Sequence, residues 1–157
     1  MLAILVSEKE VGLVGVSFEG FKDKDGARET VALGSTYNRF PRNTCAMHRY
    51  ATLQDTWGFD PAPEQYRGME DYLLALQLDT YTDWKWKMAD AKIPLAVDRN
   101  FDQHKKEQGE IETMQWIENL LQERVARDPH LSQRLQETLR RQRPAEISPE
   151  SREITRK

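Results

Sequence analysis

The stretch VGLVGVSFE, residues 11–19, decides the fold. Val14, Val16 and Phe18 alternate with Gly15, Ser17 and Glu19, which is the two-residue period of a strand with one face buried and the other small or polar. Working outward, Lys22-Asp23-Lys24-Asp25-Gly26 follows as a turn, because an Asp-Gly pair accepts the positive φ of a tight hairpin. A partner strand is then expected at Arg28–Gly34. Upstream, the apolar run Leu2–Ser7 is separated from Val11 by Glu8-Lys9-Glu10 and reads as a further strand. Residues 1–35 therefore predict a three-stranded antiparallel β-meander.

Residues 36–62 lack a period and carry Pro41, Gly58 and Pro61, so they read as loop with a short helix near Cys45–Leu53. A loop of this length is either functional or pinned by its own aromatics, here Tyr37, Phe40, Tyr50, Trp57 and Phe59. From Pro63 the period changes to three and four, through Tyr66, Met69, Leu73 and Leu76, with Asp60 and Pro61 able to cap and start a helix. Residues 82–97 are ambiguous. Strict alternation in Thr82-Asp83-Trp84-Lys85-Trp86-Lys87-Met88 fits a strand, whereas a Thr82 or Asp83 cap followed by Met88-Ala89-Asp90-Ala91 fits a helix ended by Pro94. We read it as the helix. Ile111, Met114, Ile117, Leu121 and Val125, widened by Trp116 and Leu120, predict a helix from about 103 to 126. Asp128 as N-cap and Pro129 in the first turn restart the chain as a last helix to about 143. Its stripe of Leu131, Leu135 and Leu139 is narrow enough to pack on one neighbour or on a partner chain.

The expected fold is thus α+β, the meander packed against three or four C-terminal helices. One domain spans residues 1–143, with the meander at 1–35, the aromatic and basic loop at 36–62 and the helical part at 63–143; residues 144–157 have no apolar period and are expected to be disordered. A chain of 157 residues with four Trp, five Tyr and five Phe can bury a core unaided. The single Cys45 cannot form an internal disulfide, which points to a reducing, cytoplasmic setting. No apolar run is long enough to cross a bilayer, and the opening segment lacks the basic start and cleavage site of a signal peptide, so no membrane role is expected.

Phosphate-loop, dinucleotide, zinc-protease and nucleophile-elbow motifs are absent, so no cofactor is expected. Cys45-x-x-His48 has the spacing of half a zinc site, but His104 and His130 lie far off in helical context, and the plainer reading is a small buried thiol beside a satisfied histidine. No metal site is expected. Cys45 activated by His48 or Arg49 would make an enzyme, but sequence neighbours need not meet in space.

The most informative feature is a window from Thr30 to Gln54 with no Asp or Glu, set in a chain of net charge −3. Tyr37, Arg39, Phe40, Arg42, His48, Arg49 and Tyr50 fall inside it. Arginine and aromatic anchors dominate binding hot spots, so the expected function is a non-enzymatic binding or adaptor protein, a small subunit docking through this loop into a larger protein or nucleoprotein assembly. Stacking on the aromatics with phosphates on the arginines would instead make a single-stranded RNA- or DNA-binding protein. The competing plain reading turns the aromatics inward and pairs the arginines with acids elsewhere. Arg134, Arg140, Arg141 and Arg143 form a second basic group that could dock on an acidic or nucleic-acid partner, although the dipole of a helix end alone explains the last three.

Overall fold

The computed structural model describes residues 1–24, 27–31, 33, 39–42, 45–57, 69–97 and 103–142. The α+β class holds, with antiparallel strand pairing near the N-terminus and helices towards the C-terminus. Asp25-Gly26, Tyr37, Asp60-Pro61, Tyr66 and residues 143–157 lie outside the described residues, and so do the expected turn, cap and tail placed on them.

Strand β1 (Val11–Lys24) is the organising element. It pairs antiparallel with β2 (Ala27–Val31), from Gly20↔Val31 to Lys24↔Ala27, and with β3 (Ala46–His48), from Leu13↔His48 to Gly15↔Ala46. Strand β4 (Lys85–Ala96) runs parallel to β1 along Val11–Phe21. Because Leu13–Gly15 and Gly20–Phe21 each pair in both directions, β2 and β3 share one side of β1 and β4 takes the whole of the other.

That arrangement explains the first correction. Leu2–Ser7 is the short helix α1, not a strand: both sides of β1 are taken, so the N-terminal apolar run covers a face of the sheet instead of extending it. Leu5 of α1 packs on Val11 and Val14. Val11 and Val14 sit three apart yet share this face because β1 carries an extra residue at Gly12, where the register steps from Val11↔Lys85 to Leu13↔Trp86. Leu13 points the other way, into Leu74 and Leu78. The strand is consequently covered on both faces, not on one as the alternation predicts. Gly15 is not a solvent-facing gap: a Cβ there would stand 2.6 Å from Pro41 Cα, so its missing side chain admits the loop backbone.

The second correction concerns residues 82–97. Alternation prevails, and β4 exposes Lys85 and Lys87 while half-burying Trp86 and Met88. The residues that favoured a helix are a local irregularity: pairing jumps from Val16↔Ala89 to Ser17↔Lys92, leaving Asp90 and Ala91 as extras on β4. Pro94 does not end the element but pairs opposite Glu19; β4 pairs only with β1 among the described strands, and proline is tolerated on such an outer strand. Near Cys45 the expected helix is split into β3 and the five-residue α2 (Tyr50–Gln54).

Helix α3 (Glu70–Tyr81) is buried on nearly every side, from Tyr72 through Leu78 and again at Thr80. A helix apolar all round belongs inside a protein; here Leu74 and Leu78 meet the sheet while Tyr72, Leu73 and Leu76 meet α4 (Gln103–Val125) and α5 (Pro129–Gln142). Met114, Ile117, Leu121 and Val125 form the buried stripe of α4. Ile111, at 44% exposure, does not join it; Glu110 is buried in its stead. Asp128 caps α5 as expected, its Oδ1 accepting from the backbone N–H groups of His130 (3.0 Å) and Leu131 (3.1 Å). Leu135 and Leu139 bury the narrow stripe of α5 in the core formed with α3 and α4. No helix among the described residues is long and apolar enough to cross a membrane.

Candidate functional site

Among the described residues, the acid-free window is not gathered into one surface. Phe40 is fully buried, its ring 5.1 Å from that of Tyr72. Arg42 is 8% exposed; its guanidinium lies over Phe40 at 4.7 Å, donates to Met69 Sδ, and pairs with the equally buried Glu110 of α4 at 3.5 Å. Arg49 faces the opposite way. Its Nε donates to Val11 O at 2.7 Å, and its Nη2 donates to Glu8 O at 3.2 Å and to Leu5 O. These carbonyls belong to the end of α1 and the turn into β1, where a helix leaves acceptors unsatisfied and a cation complements the dipole. Arg49 is a clamp for that corner. His48 is half-buried, and desolvation holds its imidazole below the usual range. Cys45 and Arg39 are half-buried, and Tyr50, at 75% exposure, is the one residue of the set that stands well into solvent among those described. Among the described residues no group of three or more His, Cys, Asp or Glu is placed to hold a metal ion.

A site that the sequence did not announce lies where α3 ends and β4 begins. Lys9 and Glu10 from the α1–β1 turn, Asp55 from the end of α2, and Tyr81, Thr82, Asp83 and Trp84 from the α3–β4 connection line an open cleft of about 710 Å³. Ligand clefts run from roughly 300 to 1,000 Å³. Two devices hold the walls in place. The Trp84 indole Nε1 donates to Asp55 Oδ2 at 2.7 Å, and its backbone N–H donates to Thr82 Oγ1 at 3.1 Å, which fixes the ring. On the far side Arg134 of α5 donates to the carbonyls of Asp79 (3.2 Å) and Thr82 and to Asp83 Oδ1 (3.3 Å), closing off the C-terminus of α3. The second basic group of the sequence thus begins with a residue that answers a helix end, and Arg141 lies 3.9 Å from the Asp79 carboxylate.

Glycine explains how the half-buried Trp84 can lie against β1. A Cβ on Gly12 would stand 2.1 Å from Thr52 Cγ2 and 3.2 Å from the Trp84 ring, so the extra residue of β1 makes room for α2 and the indole together. Behind the cleft, Tyr81 meets Trp57 edge-on at 5.6 Å, and Arg124 lies 3.8 Å over the Trp57 ring. Burial pushes the Tyr81 phenol up, with Arg124 acting against it, so the hydroxyl remains a neutral donor at physiological pH. Burial also raises Asp79, opposed by Arg141, a hydrogen bond from Trp86 and Arg134.

The cleft escaped sequence reading because its lining comes from three places far apart in the chain, each at the end of an element. The available signal was Trp84 itself, a large aromatic placed in a turn directly after Thr82-Asp83. Compared with protein-family models, curated proteins and solved structures, the chain finds no match.

Proposed function

We propose that this protein is a non-enzymatic binding protein, an adaptor-type subunit that docks into a larger protein or nucleoprotein assembly by receiving a polypeptide segment in the cleft at the α3–β4 turn. The observation that supports this reading is the cleft's construction: an open groove with fixed aromatic walls, Tyr81 and Trp84, and charged groups at Lys9, Glu10, Asp55 and Asp83. Large, rigid side chains contribute contact area with little entropy left to lose on binding, and rim charges set the orientation of the partner. A reducing compartment such as the cytoplasm suits the lone, half-buried Cys45.

Direct binding of single-stranded nucleic acid through residues 36–62 has fewer groups to draw on, because the guanidiniums of Arg42 and Arg49 are committed to Glu110 and to backbone carbonyls. Display of random peptides on the purified protein, with counter-selection on an Asp83→Arg variant, tests the docking reading. Sequences enriched on the wild type and lost on the variant are expected. No enrichment above the bare support, together with salt-steep affinity for labelled single-stranded RNA or DNA, would hand the function to the nucleic-acid reading.

A further inference from the structure

We infer that the cleft selects a cationic side chain, arginine above all, presented by a basic peptide; the inference rests on the docking reading above and names its partner chemistry. Among the lining residues three are acids, Glu10, Asp55 and Asp83, and one is a base, Lys9. The walls are the Trp84 indole and the Tyr81 ring, and the π face of such rings carries negative potential that attracts cations within about 6 Å. The hydrogen bond from Trp84 Nε1 to the Asp55 carboxylate pushes electron density into the indole and strengthens that attraction. The surrounding rings already show the preference. Arg124 lies over Trp57, which touches Tyr81, and the Arg49 guanidinium sits 5.9 Å from the Trp84 centroid.

Two cations border the cleft without lining it, Arg49 turned mainly to backbone and Arg134 shared between backbone and the Asp83 carboxylate. Arg49 is held by the carbonyls of Leu5, Glu8 and Val11, and Arg134 by those of Asp79 and Thr82 as well as by Asp83. A guanidinium entering between the rings and Glu10 would meet a carboxylate and an aromatic face together, a planar fork that lysine matches less well. Citrulline, of the same shape but uncharged, would keep the stacking and lose the attraction.

Three capped heptapeptides of alternating glycine with arginine, citrulline or glutamate separate the possibilities. Binding is followed by the indole N–H resonance of Trp84, assigned by its disappearance in Trp84→Phe. The arginine peptide is expected to shift that resonance and to bind at least about tenfold more tightly than the citrulline peptide. The double variant Glu10→Gln, Asp83→Asn, which changes charge at two exposed positions, is expected to weaken it by about tenfold, and added salt to do the same in proportion. Equal binding of the arginine and citrulline peptides, preference for the glutamate peptide, or indifference to the double variant would overturn the cationic inference and leave the docking reading standing. If no peptide moves the Trp84 resonance, the cationic inference falls, and the random-peptide display decides the docking reading separately.

Discussion

Two regions of this protein combine charged and aromatic side chains, and they use them in opposite ways. In the loop that carries Phe40 and Arg42, the guanidinium is packed over a buried ring and paired with a buried acid. In the cleft at the α3–β4 turn, rings and carboxylates border an open volume. The difference teaches that an arginine-rich, acid-free window can be an internal fastener: its acids are absent locally because they arrive from another element, here Glu110 of α4.

The largest test of that contrast is Arg42→Ala. It takes the guanidinium away from the buried Glu110 carboxylate and is expected to cost about 3–5 kcal/mol in urea unfolding, whereas Arg42→Met with Glu110→Leu, which removes both charges, should recover most of the loss. A surface arginine would show neither effect. Next comes Gly15→Ala, whose methyl would press into the Pro41 backbone; the loop must shift, at about 1–3 kcal/mol, and the same midpoint measurement reads it.

Smaller, and opposite in sign for two half-buried groups, are the responses to pH. Burial holds His48 below its ordinary 6.5, so the unfolded chain takes up the proton first. Its contribution is intact above pH 6.5 and is lost as pH falls from there towards the folded value. Asp79, behind the cleft, is raised above its ordinary 3.8, so the folded state holds the proton more tightly. Its contribution favours folding at the acid end and declines as pH rises through the folded value. His48→Gln should flatten the first slope and Asp79→Asn the second; slopes unchanged in either variant would remove that group from the account. The smallest effect is expected at the cleft rim: Asp83→Asn should leave the unfolding midpoint unmoved while altering peptide binding, since the Asp83 side chain is almost wholly in solvent.

Local rules in the sequence were enough for α4, for the Asp128 cap of α5 and for the pairing of β1 with β2, because each rests on a period or a turn signal within a few residues. They failed for Leu2–Ser7 and for residues 85–96, whose state is decided by which sides of β1 remain available and by two extra residues in β4, both tertiary facts. The candidate site was less legible still. Tyr37, Arg39, Phe40, Arg42, His48, Arg49 and Tyr50 share a composition, and composition does not say which way a side chain turns; Trp84 and Asp55 meet only because Gly12 lets α2 and the indole approach the same strand.

The parallel pairing of β1 with β4 has a kinetic consequence. The β1–β2 hairpin closes between near neighbours and can form early, but β4 reaches β1 only after α2 and α3 have been laid down between them. Loop closure of that span costs entropy before any contact repays it. The open edge of β1 must therefore wait, its backbone along Val11–Phe21 not yet paired with β4, and the order of events predicts a folding rate limited by the docking of α3 and β4, with substitutions in β4 slowing folding more than those in β2.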